Sequence, residues 1–299
     1  MKISTWISKN CSSLKEKTIV LTGATSGLGF ETLKILCQLE ASVIVGVRNT
    51  AKAEEQKNEL LKTFPKCKID IFKLDLSEVK SIKTFASKIK FLRSDGIDVL
   101  INNAGVFTKE IKILPNGHEQ HFFTNCIAPL LLSKLLIPLL KEKQNSKIVF
   151  LGSISCNFSK INFNDYDFRN TKKEIRAYSN SKRWLTFCVF KLKEELAKEN
   201  ITVNLIHPGI SPTSLFLNSR FNHLQPILKL IFTKPQKACL NEISGVFKNT
   251  NNEEWIGPRI FNIWGLPKIS KLKIKHRNND EISKCYQIFS NILSEYIKM

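Results

Sequence analysis

Tyr178 and Lys182 stand four residues apart in the run Ala177-Tyr178-Ser179-Asn180-Ser181-Lys182. On a helix that spacing puts both side chains on one face. A phenol beside an ammonium is a proton donor whose pKa the neighbouring charge is expected to pull down. Free tyrosine titrates near ~10, so poising it near ~7 requires roughly 4 kcal/mol of preferential phenolate stabilisation. Such a pair can hand a proton to an oxygen on which negative charge is developing.

Far upstream lies Thr22-Gly23-Ala24-Thr25-Ser26-Gly27-Leu28-Gly29, which follows an apolar stretch and opens a helical pattern. Glycines at Gly23, Gly27 and Gly29 permit a tight turn, close approach of backbone to a pyrophosphate, and close helix–strand packing. The helix N-terminus, at Thr25, Ser26 and Leu28, offers N–H groups to phosphate oxygens. The second strand ends in Val45-Gly46-Val47-Arg48-Asn49, with an arginine and no acid. An acid there would hold the ribose hydroxyls of NAD, whereas Arg48 can pair with a 2′-phosphate. NADP(H) is therefore expected in preference to NAD(H), against the plainer reading of a surface arginine. Asp75, beside Leu76 after the third strand, has two readings: a contact to the adenine region, or a cap on the next helix. A tuned acid near a bound nicotinamide points to hydride exchange at a C=O/CH–OH centre.

Alternating β-like and helix-like patterns position these residues. Strands are expected at Thr18–Leu21, Ser42–Val47, Ile69–Leu74, Val99–Ile101, Lys147–Leu151 and Thr202–Ile206, with a seventh at Arg259–Ile263. Helices are expected at Leu28–Leu39, Ala51–Lys62, through Val79 to Ile89, His118–Lys141 and Ile175–Lys198. This order predicts a Rossmann-like doubly wound parallel α/β sheet of about seven strands, with helices on both faces and the ligand at the strands' carboxyl ends. It reads as a single domain over 1–299, with an N-terminal extension (1–16), a substrate lid (210–235) and a C-terminal segment (266–299).

The formal charge is +20, yet only eight of the 46 basic residues are arginines. Phosphate recognition favours arginine, and no nucleic-acid module appears, so no nucleic-acid partner is expected. Lys271, Lys273 and Lys275 alternate and would share one side of an extended segment. The eight cysteines are scattered without a Cys-x-x-Cys pair, which fits a reducing cytoplasm better than a disulfide framework. Met1 to Ile7 lacks the apolar run of a signal peptide. Leu130–Leu140 is too short to span a bilayer and reads as a buried helix, so no membrane span is expected. His118 and His121 lack a ligand set, and no metal is expected.

Taken together, the motifs resemble those of the short-chain dehydrogenase/reductase family, single-domain type. They are the glycine turn, Asn102-Asn103-Ala104-Gly105 after the fourth strand, Ser153 after the fifth, Tyr178-x-x-x-Lys182, and Pro208-Gly209 followed by Thr213. Val47-Arg48-Asn49 and the 25-residue gap from Ser153 to Tyr178 are most similar to the retinol-dehydrogenase-like branch. The resemblance implies Tyr178 as general acid/base and Lys182 as holder of the nicotinamide ribose. It implies Ser153 on the substrate oxygen, with Ser155 as the alternative, and Asn125 positioning a water. Asn103, Ala104, Gly105, Pro208, Gly209 and Thr213 are implied to line the cofactor site.

The apolar run Leu215, Phe216, Leu217, Phe221 and onward to Phe232 would then cover a small apolar carbonyl or alcohol substrate. The insertion from Asn157 to Glu174, with Phe158, Phe163, Tyr166 and Phe168, would add a second wall. Dimers or tetramers are implied in the same way. Two residues depart from the pattern: Ser26 stands where many NADP enzymes carry a base, and Pro212 precedes Thr213. The alternative reading is a catalytically silent NADP(H)-binding regulator of the same fold.

Overall fold

The computed structural model describes residues 2–209, 233–275 and 277–298. Eight strands form one sheet in the order β3-β2-β1-β4-β5-β6-β7-β8. They are β1 (Thr18–Thr22), β2 (Ser42–Val47), β3 (Lys68–Lys73), β4 (Val99–Asn102), β5 (Lys147–Leu151), β6 (Thr202–Ile206), β7 (Glu254–Ile260) and β8 (Trp264–Lys271). Pairing is parallel throughout except between β7 and β8. The sheet reverses direction of growth between β1 and β4, which opens a crevice at the carboxyl ends of those two strands.

The described helices are α1 (Ile3–Asn10), α2 (Gly27–Gln38), α3 (Thr50–Thr63), α4 (Val79–Leu92), α5 (Gln120–Lys141), α6 (Glu174–Leu196), α7 (Pro235–Phe247) and α8 (Asn279–Lys298). Successive strand residues point to opposite faces, and the two cores divide on that alternation. Val20, Ile44 and Leu100 pack with α4, α5, α6 and α8, while Ile19, Leu21, Val43 and Val45 pack with α1, α2, α3 and α7.

Three sequence expectations need correction. The seventh strand begins at Glu254, and Arg259–Ile263 is its end plus the hairpin turn, with Phe261 and Asn262 at φ 50° and 57°. An eighth, antiparallel strand follows. Pro258 and Pro267 face each other in this hairpin, and proline within an apolar run argues against a strand unless the strand lies at an edge, as β8 does. Of the three alternating lysines only Lys271 is in β8, where its ammonium pairs with Glu253 at 3.0 Å; Lys273 and Lys275 follow the strand.

The long apolar helix falls within two residues of the expected His118–Lys141, and so extends well beyond the Leu130–Leu140 stretch read as too short to span a bilayer. Gln120–Lys141 is 22 residues and by length and composition could cross a bilayer, with 78% of its most apolar window buried inside the protein. A π-helical turn at Phe123–Ile127 interrupts it. The two ends of the chain add α1, which buries Trp6 and Ile7, and α8, which buries Ile282, Cys285, Phe289, Ile292, Leu293 and Tyr296.

Between α2 and α7 the Thr32 hydroxyl donates to Glu242 Oε2, and Oε1 of the same carboxyl has no partner. Burial pushes the Glu242 pKa up to about 7 from an ordinary 4.5, against the opposing hydrogen bond from Thr32. The folded state therefore holds a proton that the unfolded chain releases, so stability falls as pH rises between those values and is level above them. Glu242→Gln should remove that slope and stabilise the protein by about 1–2 kcal/mol above it. Denaturant melts at a series of pH values measure this; an unchanged slope in the variant would refute the assignment.

Candidate active site

The glycine turn is locked to the end of β4. Gly23 has φ +74° and Gly27 φ +55°, a region where a side chain is strained. A Cβ on Gly23 would lie 2.9 Å from Ala104, and one on Gly29 would lie 2.3 Å from both Asn103 Nδ2 and the Gly23 carbonyl oxygen. Asn103 Nδ2 donates to the carbonyls of Thr22 (2.7 Å) and Gly23 (3.0 Å), and the Ala104 N–H donates to Thr22 Oγ1 at 3.0 Å. Asn102 turns the other way, onto Ser133 Oγ. Ser26, the N-cap of α2, makes no side-chain capping bond, which leaves the first N–H groups of that helix facing the crevice.

A cleft with a cavity volume of ≈ 310 Å³ runs along these carboxyl ends. Its walls include Gly23, Thr25, Ser26, Gly27, Leu28 and Gly29 from the first turn, Arg48 after β2, and Asp75 and Leu76 after β3. Asn103, Ala104, Gly105, Asn125, Ser153, Tyr178, Lys182, Pro208 and Gly209 complete it. Thr213, Pro212 and the apolar run from Leu215 to Phe232 lie outside the described residues. Gly209 has φ +88°, and a Cβ there would meet the Ile263 carbonyl oxygen at 2.8 Å.

Arg48 is exposed at the rim. Asp75 does not cap α4, whose N-cap is Glu78; its Oδ1 accepts from Ser77 N (2.9 Å) and Ser77 Oγ (2.7 Å) in a local turn.

At the other end, Ser153 Oγ accepts from the N–H (3.1 Å) and hydroxyl (2.9 Å) of Ser155. Ser155 thus supports Ser153. Tyr178 is buried, its phenol beside the Ser153 hydroxyl and its ring edge-on to Phe107 at 5.2 Å between centroids. Lys182 Nζ donates to the Leu151 carbonyl at 2.8 Å and lies 5.9 Å from the Tyr178 ring centroid.

The expected lowering of the tyrosine pKa is not found in the protein alone. Burial pushes Tyr178 up to about 12, only partly opposed by Ser153, and pushes Lys182 down to about 8. Desolvation outweighs a cation whose hydrogen bond is spent on a backbone carbonyl.

Asn125 sits in the π turn. Its Oδ1 accepts from Val106 N (2.7 Å), and its Nδ2 donates to Val106 O (2.9 Å) and to Ser181 Oγ (3.3 Å). Its amide therefore bridges the Val106 backbone to Ser181. A Cβ on Gly105 would come 3.0 Å from Asn125 Oδ1 and 4.0 Å from Lys182 Nζ, so glycine leaves the space between them open.

The insertion does not build the expected wall. Among the described residues lining the cleft none is Phe158, Phe163, Tyr166 or Phe168. Phe163 and Tyr166 pack on Trp184 of α6, and Phe158 is 67% exposed. Its acid Asp167 is a peg: Oδ2 accepts from the Glu119 N–H, and Arg169 pairs with it at 2.8 Å. Burial would raise that carboxyl, but the nearby His118 ring at 3.8 Å and hydrogen bonds from Arg169 and the Glu119 N–H hold it well below the usual range.

Sequence reasoning missed the support behind Tyr178. Glu119 is fully buried and accepts from Phe122 N at 2.8 Å. His121 Nε2 accepts from the Thr108 N–H (3.0 Å), so its Nδ1–H donates to Glu119 Oε1 (2.6 Å). That ring lies edge-on to Tyr178 at 6.3 Å. The available signal was an acid and a histidine two apart at the start of an apolar helix. His207 also lines the cleft, stacked on Trp255 at 5.1 Å, and burial lowers its pKa to about 4, which keeps it neutral.

The family model for short chain dehydrogenase matches residues 17–222. "Short-chain dehydrogenase TIC 32 B, chloroplastic" from Brassica napus is 34% identical over 215 residues, covering 69% of this chain and 67% of that protein. Retinol dehydrogenase 14 from Homo sapiens is 34% identical over 229 residues (72% and 67%). Retinol dehydrogenase 12 from Bos taurus is 30% identical over 259 residues (82% and 81%).

Among solved structures, an uncharacterized protein from Mycobacterium Paratuberculosis superposes with TM-score 0.76 at 25% identity, covering 95% of each chain. An NADPH-bound short chain oxidoreductase from Pseudomonas aeruginosa shares the fold at TM-score 0.62 and 18% identity, covering 79% of this chain and 91% of that one. Motif order, sheet topology and these matches agree: the chain belongs to the short-chain dehydrogenase family, in its retinol-dehydrogenase-like branch.

Proposed function

We propose that this chain is an NADP(H)-dependent oxidoreductase acting on a carbonyl or alcohol of a small apolar substrate, with Tyr178 as general acid/base. The observation that carries the reading is the convergence of Ser153, Tyr178 and Lys182 on one cleft with the glycine turn. A bound nicotinamide supplies or accepts the hydride. The glycine positions fit that group: Gly23 and Gly29 pack too closely on Ala104, Asn103 and the turn's own backbone to admit a Cβ, which keeps the turn tight, and Gly105 leaves the space between Asn125 Oδ1 and Lys182 Nζ open.

Each side chain has a distinct task in this reading. Ser153 Oγ hydrogen-bonds the substrate oxygen, its orientation fixed by Ser155. Tyr178 delivers its proton to that oxygen in reduction and takes it back in oxidation. Lys182 moves from the Leu151 carbonyl to the ribose hydroxyls, and its charge then favours the phenolate. Asn125 holds the Gly105–Val106 backbone in place and leaves room for a water next to Lys182. Arg48 at the rim pairs with the 2′-phosphate. The apolar substrate is supported by the sequence of residues 215–232 and by likeness to proteins named as retinol dehydrogenases.

NADPH oxidation against a panel of apolar aldehydes and ketones tests the reading. Tyr178→Phe should lose about a hundred- to ten-thousandfold in turnover while NADPH affinity is retained. Wild-type-like turnover in that variant would end the acid assignment. Arg48→Ala should weaken NADPH by about ten- to a hundredfold and leave NADH nearly unchanged; an equal loss for both would remove the preference for NADP(H).

In the reductive direction kcat/KM for NADPH should be level at low pH and decline as pH rises through about 8, where Lys182 gives up its proton in the free enzyme. A profile still level well above that value would contradict the role given to the ammonium.

A further inference from the structure

Helix α4 carries apolar residues on two sides. Ile82, Phe85, Ala86 and Ile89 are buried in the core. On the outer side Val79, Phe91 and Leu92 meet Phe72 of β3 around an open groove with a volume of ≈ 850 Å³. Phe91 is 92% exposed and Leu92 39% exposed. Such neighbouring apolar exposure opposes the hydrophobic effect unless something covers it.

The rim of this groove is cationic. Lys80, Lys83 and Lys88 line it, and no acidic side chain is among its described lining residues. Lys83 Nζ is committed to the Tyr296 carbonyl at 3.0 Å, and Lys88 Nζ lies 5.7 Å from the centre of the Phe72 ring. An apolar floor with an unbalanced positive rim complements a hydrocarbon chain that ends in one negative charge. The net charge of +20 adds attraction for such a molecule at longer range.

We propose that the α4 groove is a binding site for a single-chain anionic amphiphile, namely a long-chain carboxylate. Its hydrocarbon lies along Phe72, Phe91 and Leu92, and its carboxylate meets the lysine rim at Lys80 and Lys88. The groove is separate from the cleft that holds Tyr178: none of its lining residues lines that cleft.

The test is calorimetric titration of the full chain, saturated with NADPH, with dodecanoate below its micelle concentration. Dodecyl maltoside carries the same chain with an uncharged head and serves as the comparison. The expected result is saturable binding of dodecanoate, with the maltoside weaker by about tenfold or more. Phe91→Ser and the double change Lys80→Gln/Lys88→Gln should each weaken dodecanoate by about tenfold while NADPH affinity and melting temperature stay unchanged. Undiminished binding in both variants would place the carboxylate elsewhere, the substrate cleft included, and overturn the proposal. Equal affinity for the maltoside, absence of binding, or affinity only for phosphatidylserine vesicles would overturn it as well, the last in favour of bilayer docking.

Discussion

Much of the molecule hangs on one carboxamide. Asn103 Nδ2 donates to two successive carbonyls, those of Thr22 and Gly23, at the point where β1 becomes the glycine turn. Thr22 is the last residue of β1 and Gly23 the first beyond it, so the bonds fall where the strand's regular pairing ends. Leaving a buried acceptor unpaired costs about 1–3 kcal/mol, so the bond fixes the turn to β4. The same bond ties the end of the cleft built from Gly27 and the start of α2 to the end that begins at Gly105. The Ala104 N–H on Thr22 Oγ1 reinforces the join.

The end of the cleft at Tyr178 and Lys182 is buried, and that burial reshapes the chemistry read from spacing alone. A helical spacing of four does put Tyr178 and Lys182 on one face, yet the ammonium reaches for Leu151 and the phenol for Ser153. Burial keeps the tyrosine protonated and weakens the lysine's hold on its own proton. A charge brought to Lys182's face of the cleft meets a site of low effective dielectric, where each interaction counts for more than it would in water. Phe107 and His121 pack edge-on to the Tyr178 ring, and the hydrogen bonds from Thr108 N–H and to Glu119 hold the His121 imidazole in place.

How much was legible in the sequence follows from which signals are local. The first six strands fall within a residue of their expected bounds, because each is a short β-branched run between turn residues. The glycine turn, Asn103, Ser153, Tyr178 and Lys182 were legible through their types and order along the chain. Failures came where tertiary context decides. Pro258 and Pro267 hid a hairpin whose second strand lies at the sheet edge, and no local signal marks Asp167 as the acceptor that pegs the Glu119 N–H. The stripe Ile282, Cys285, Phe289, Ile292, Leu293 and Tyr296 has helical spacing, but polar residues between its members mask it, and the sequence reading assigns the segment no element. The pKa of Tyr178 depends on burial, which no spacing encodes.

The turn also bears on how this chain can change by descent. Gly29 and Asn103 occupy one volume: a Cβ on the first would stand 2.3 Å from the amide nitrogen of the second. The Gly23 carbonyl oxygen stands at the same distance, so giving up the amide at position 103 would strand two carbonyls without making room for a side chain at position 29. Position 29 is thus held at glycine by the turn's own backbone as well as by a residue 74 positions away in the sequence.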